Sequence, residues 1–175
     1  MGKFSGEPLT RWKGPRIMIL QEAFYFIDDD GTKWEVPVNA EINGATIPDE
    51  LWSVVGAPYV GTYRKASVVH DYHVGEGNNP DVTHAHRRKA DKMFYQACRA
   101  EGSGWAFART LYLGVSLGSW SAAVSRTFTR TKSIKSNQTP DILDKYNEMA
   151  QKLDSFEEDD FDALEKWIDA ELTVN

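Results

Sequence analysis

From Trp105 to about Val124 the chain runs for some twenty residues with Arg109 as its only charge. A segment of that length and apolarity has two uses, to cross a bilayer or to sit at the centre of a fold. Arg109 and the serines at 116, 119 and 121 argue against a stable span, and no second span accompanies it. The expectation is a central buried helix around which the rest of the chain is built. Gly114 and Gly118 have the small-xxx-small spacing that permits close approach of a neighbouring helix.

Upstream, residues 1–15 are punctuated by Gly and Pro and read as an N-terminal arm. Residues 16–27 are rich in β-branched and aromatic side chains, and Thr32 to Val38 repeats that character. Between them Asp28-Asp29-Asp30-Gly31 is a hairpin signal, and Pro37 makes the second strand an edge or ends it. Residues 39–61 read as a loop holding a short helical turn at Pro48-Asp49-Glu50-Leu51-Trp52. A helix is expected from about Thr62 to Val74, with Tyr63, Ala66, Val69, His70 and His73 on one face. A second begins near Asp81 or Thr83, carries the stripe Ala90, Met93, Phe94, Ala97 and Cys98, and stops at Gly102. The single cysteine, Cys98, lies on that stripe and reads as a buried small hydrophobe; one cysteine makes no internal disulfide. The fold class is therefore α+β: a β-hairpin on a three-helix core, forming a body over residues 16–128.

Composition changes at residue 129. Thr, Ser, Lys, Asn and Gln fill a linker to residue 139, and residues 140–175 form an acidic helical tail. Residues 128–175 hold twelve acidic and six basic side chains, which accounts for the whole net charge of −6. The body is neutral and shows no basic face of the kind nucleic acid requires. Ile142, Tyr146, Met149 and Leu153 share one face of a helix opening at Thr139-Pro140-Asp141. Leu164, Trp167 and Ile168 share a face of the next, after the capping-box pattern Ser155-Phe156-Glu157-Glu158. These faces either fold back on the body or dock on a partner; docking, on another protein or a second copy of the chain, is the favoured expectation. The start, Met1 to Gly6, lacks the apolar segment of a secretion signal, which suits a virion or a host cytoplasm.

The chemistry-bearing residues are His70 and Asp71, adjacent on the first helix, and Asp91 on the second. A short polar stretch between the helices lets them run antiparallel, which brings an imidazole and two carboxylates to one seam. His70 can serve as a general base with Asp91 fixing its tautomer. Asp71 lies about one hundred degrees around the helix, beside a loop able to add backbone carbonyls, a mixture that suits calcium. Arg87, four residues before Asp91, offers Asp91 a surface pair instead. His70, His73, His84 and His86 offer imidazoles for zinc, but His84 and His86, two apart on a helix, do not face together. The competing reading is that the same residues simply lock two helices.

The run from Trp34 to about Gly118 resembles a phage- and prophage-borne family known only as a domain of unknown function. The likeness is carried by Trp34-Glu35-Val36-Pro37, then Ile42-Asn43-Gly44-Ala45-Thr46-Ile47-Pro48 and Leu51-Trp52. Next come Gly61, Tyr63, Ala66 and His70-Asp71-Tyr72, then Arg87 or Arg88, Ala90-Asp91, Phe94 and Tyr112. It implies a phage origin and supplies no activity. Asn43 stands where the family has Asp, and Val74 where it has an aromatic. A shorter stretch is similar to phospholipases of the A-two class, which also set His-Asp on one helix and an Asp on an antiparallel one. That likeness implies His70 as base, Asp71 as calcium ligand and Asp91 as the partner of His70. The expected function is thus a virion-associated phage protein with a hydrolytic site for envelope lipid or another ester. A non-catalytic structural or adaptor protein is the alternative, and a host-takeover factor a third. Asn43, Thr46, Tyr72 and Arg87 are candidate accessory residues around the site.

Overall fold

The structure is a computed structural model; it describes residues 1–44, 47–57, 59–75, 82–130, 141–158 and 160–174, with residues 126–130 as backbone only. Among the described residues six short strands, β1 (Lys3–Phe4), β2 (Thr10–Gly14), β3 (Ile17–Leu20), β4 (Phe24–Ile27), β5 (Lys33–Val36) and β6 (Glu41–Ile42), precede five α-helices. The helices are α1 (Arg64–His73), α2 (His84–Glu101), α3 (Trp105–Arg130), α4 (Ile142–Leu153) and α5 (Phe161–Glu171). The class is α+β, with the strands in two three-stranded antiparallel sheets, ordered β1-β4-β5 and β2-β3-β6.

The hairpin read from Asp28-Asp29-Asp30-Gly31 is the β4–β5 pair, with Phe24 opposite Val36 and Phe26 opposite Trp34. Alternation sends these four side chains inward. Asp28 organises the loop: one carboxylate oxygen accepts from the backbone N–H of Asp30 and Thr32, the other from Trp34 Nε1 at 2.8 Å. Gly31 supplies the positive φ of 83° that the turn demands. Two strand expectations change. The run 16–27 is broken at residues 21–23 into β3 and β4, which belong to different sheets. The supposed arm contains β1 and β2, whose backbone groups are satisfied by pairing with β4 and β3.

The first two helices are antiparallel, and the end of α2 caps the start of α1. α1 has no side-chain N-cap of its own; the carboxylate of Glu101, at the far end of α2, accepts from the backbone N–H of Lys65 and Ala66 at 2.9–3.1 Å. α2 starts with Thr83 accepting from His86 N. It stops at Gly102, φ 108°, with Ser103 N bonded to the Cys98 carbonyl in a Schellman closure.

α3 is the central helix: Ala108, Leu111, Tyr112, Leu113, Val115, Ser116 and Leu117 are all buried. Among the described residues no helix is long and apolar enough to cross a membrane. The small residue Gly114 accommodates a loop rather than a helix. A Cβ there would stand 3.2 Å from Val55 Cγ1, so the missing side chain seats Val55 on α3.

The tail packs on the body, the other of the two courses open to its apolar faces. Ile142, Tyr146, Met149 and Leu153 of α4, and Leu164 and Ile168 of α5, are buried within the same chain, and Trp167 is half-buried against Phe156. The reason is that α2 and α3 offer a matching face. Phe161 stacks on Tyr95 with ring centroids 4.0 Å apart. Glu165 pairs with Lys92 at 2.8 Å, Asp169 with Arg88 at 2.7 Å and Glu158 with Arg99 at 2.6 Å. Nor does Ser155 open a capping box: its hydroxyl donates to the Lys152 carbonyl, and α5 begins six residues later. Residues 131–140, most of the linker, lie outside the described residues.

Candidate functional site

The antiparallel seam brings His70 and Asp91 together as their spacing suggested. His70 Nε2 lies 2.7 Å from Asp91 Oδ1, with both residues buried. A carboxylate oxygen accepts, so Nε2 carries the hydrogen, and in the neutral tautomer Nδ1 is the nitrogen with the lone pair. That Nδ1 is buried and has no hydrogen-bond partner. The ring is held between this bond and the face of Phe94, 4.9 Å away between centroids.

Asp91's other oxygen is taken by Arg88, not by Arg87. Arg88 Nη1 donates to Oδ2 at 2.6 Å, Nη2 donates to Tyr112 Oη at 3.1 Å, and Nε and Nη2 reach Asp169. One turn of helix separates Arg88 from Asp91 on the i,i+3 row, which carries the guanidinium inward. Burial opposes the charge on Arg88, but Asp91 and Asp169 outweigh it and hold its pKa above the usual value. Burial pushes the Tyr112 phenol up, which keeps its oxygen protonated and able to accept from Arg88. A single carboxylate thus ties α1 to α2 and, through Arg88, to α3 and α5.

Asp71 does face the loop, but the polarity is opposite to the calcium expectation. Its Oδ2 accepts from the backbone N–H of Asn43 at 2.7 Å, from that of Gly44 at 3.0 Å and from the Tyr59 hydroxyl at 2.7 Å. A hard cation needs converging oxygens, whereas this oxygen is surrounded by donors. The residues present do not fit calcium through that atom. Among the described residues no group of three or more His, Cys, Asp or Glu could hold a metal ion. Asn43 therefore takes part through its backbone. Thr46 lies outside the described residues. The Tyr72 ring meets His73 edge-on at 5.2 Å.

His73, His84 and His86 do not converge with His70 on one centre. His73 Nε2 donates to the Glu35 carbonyl at 3.0 Å, and its ring clusters with Trp34 and His86. Burial, then repulsion from His86, pushes the His73 pKa down to about 4. Cys98 is buried, and burial raises its thiol pKa well above the ordinary value, as suits an inert core residue.

A partly open cavity of about 230 Å³ adjoins the seam. His70 and Arg87 line it together with Val74, Ser119, Ala122 and Ile142. Spacing on one helix could not show this cavity, because its walls come from α1, α2, α3 and α4.

The family described as "Protein of unknown function (DUF1353)" matches residues 18–115. The chain belongs to this family. The matched stretch runs from β3 into α3 and holds His70, Asp71, Arg88, Asp91 and Tyr112; α4 and α5 lie beyond it. Two proteins of Sinorhizobium fredii are similar. "Uncharacterized protein y4jT" is 38% identical over 118 residues, 65% of this chain and 33% of the relative. "Uncharacterized protein y4iH" is 26% identical over 98 residues, 55% of this chain and 38% of the relative. The chain thus spans about a third of the first relative and somewhat more of the second. No solved structure matches it.

Proposed function

We propose that the chain is a hydrolase in which His70 activates water against a small ester. The single observation that carries this is the bare Nδ1 of His70, buried without a partner on a residue that lines a cavity. Most buried polar atoms find a partner, and an orphaned buried acceptor costs about 1–3 kcal/mol. His70 also lines a space large enough for water and substrate, which suits a histidine that serves as a base.

In this reading Nδ1 takes a proton from water as the oxygen attacks the carbonyl carbon. Asp91 accepts from Nε2, fixes the tautomer and stabilises the imidazolium that forms. The proton then passes from Nδ1 to the departing alkoxide, which restores the neutral ring. Arg88 holds Asp91 in place, and Arg87 adds positive charge to the cavity wall near the developing oxyanion. Asp71 positions the loop that begins at Asn43. No step needs a metal. The size of the cavity favours a short acyl group over the long chains of an envelope lipid.

A second reading is favoured by Arg88. Because Asp91 links four helices through it, the cluster also works as a lock, and a non-catalytic structural protein would be built this way. A phage setting is supported only by the resemblance carried by the ordered motif from Trp34 to Tyr112, and association with a virion is part of the same proposal. The test is release of acid from a panel of esters of two to ten acyl carbons by the whole chain beside His70→Gln. Turnover lost by about a hundredfold or more in the variant supports the base; no turnover by folded wild-type protein leaves the lock.

A further inference from the structure

We propose that α4 sets the length of acyl group that the His70 cavity accepts, with Ile142 as the specificity-determining residue. The inference builds on the cavity reading above and extends it to the substrate's size. Two observations carry it. Ile142 lines the same cavity as His70, although the two residues are 72 positions apart. Ile142 is also the first residue of a helix that lies outside the family-matched stretch, so this wall is not part of the matched body.

The cavity wall is mixed: His70, Arg87, Ser119 and Ser121 supply polar groups, and Val115 and Ile142 are among the residues that supply carbon. An apolar cavity of roughly 150 Å³ accepts benzene, so one of about 230 Å³ suits a ligand of roughly six to nine non-hydrogen atoms. Such a ligand is a carbonyl group carrying an aliphatic chain of about four to seven carbons. Its head meets His70, and its tail runs towards α4. Ile142 is buried, held by the packing of α4 on α3 and on the 3-10 turn at Asp49–Leu51. It is therefore a fixed stop to the growing chain. Pro48, which also lines the cavity, belongs to the segment just before that turn.

The test measures binding of straight-chain primary alkanamides, from propanamide to decanamide, to the whole chain, read from the His70 ring resonances by NMR. An amide keeps the carbonyl of the ester, and the probe is not consumed. Wild-type affinity should peak at about four to seven carbons and fall beyond. Ile142→Ala removes three carbons from the wall, so its peak should move to longer chains by about two or three carbons. Each carbon added beyond the wild-type optimum should gain about three- to fourfold in affinity in the variant. Ile142→Val should shift the peak by one carbon at most, and Ile142→Phe should shorten it; both keep the site filled should Ile142→Ala loosen α4. The same length profile in all four proteins overturns the proposal, as does absence of saturable binding to the wild type. Length-dependent binding without ester turnover would sink the hydrolase reading while leaving Ile142 as the gauge of the cavity.

Discussion

His70 of α1 and Asp91 of α2 stand 2.7 Å apart, neither exposed to solvent, and Asp91's remaining oxygen is closed by Arg88. Removing the carboxylate leaves the Arg88 cation half-paired and the Nε2 hydrogen without an acceptor. Asp91→Ala should therefore cost about 3 kcal/mol or more, measured by urea denaturation. Asp169→Ala removes the exposed partner of the same guanidinium and should cost below about 1 kcal/mol. Equal losses in the two variants would show that Asp91 is not the centre of the network.

Asp71 gathers three donors on one oxygen. Asp71→Ala should destabilise by about 3 kcal/mol, because two backbone N–H groups and a hydroxyl lose a charged acceptor together. Tyr59→Phe, which removes one donor, should cost about 1 kcal/mol. Adding calcium at millimolar concentration should leave the melting temperature of the wild type unchanged. A calcium-dependent rise that disappears in Asp71→Ala would reverse this assignment.

His73 gives the fold a pH dependence. Its pKa is depressed in the folded state to about 4 from 6.5, by burial and then by His86. Burial also lowers His84 and His86. The unfolded chain thus binds more protons between these values, and stability rises with pH there. The contribution is complete above about pH 6.5 and drains away as pH falls towards 4. Denaturation midpoints at pH 7, 6, 5 and 4 should fall progressively, and His73→Gln should flatten the slope. An unchanged slope in the variant would place the dependence elsewhere.

The tail is held chiefly by apolar burial. Leu164 and Ile168 are fully buried, so Leu164→Ala should cost about 2–5 kcal/mol. Lys92→Met, which breaks the partly exposed pair with Glu165, should cost below about 1 kcal/mol. Near-ultraviolet circular dichroism of the aromatic cluster Tyr95, Tyr112 and Phe161 follows undocking directly. A tail released by Lys92→Met and retained by Leu164→Ala would contradict this order.

Local chemistry was legible where it depends on periodicity. Asp-Gly after apolar residues marked the β4–β5 hairpin, the Ala90-Met93-Phe94-Ala97-Cys98 stripe marked the buried face of α2, and helical spacing brought His70 to Asp91. Direction within a contact was harder. Nothing in Asp71's position says whether a loop will present carbonyls or N–H groups to it, because both come from backbone whose torsions the side chains do not announce. Arg87 and Arg88 are equally plausible partners for Asp91 by spacing; the packing of α5, with Asp169, selects Arg88. Non-local pairing was invisible too. β1 and β2 are short, and they are ordered by distant strands. The docking faces of α4 and α5 read as open because the complementary surface on α2 and α3 is formed only by the tertiary fold. The His70 cavity, assembled from four helices, belongs to the same class.

The most direct measurement is His70→Gln, assayed for ester turnover and for stability on one preparation. Glutamine keeps a side-chain N–H able to donate to Asp91 and lacks the Nδ1 lone pair. The base reading expects stability within about 1 kcal/mol of wild type and turnover reduced by about a hundredfold or more. Undiminished turnover in His70→Gln would contradict it, and so would a folded wild type that hydrolyses none of the esters.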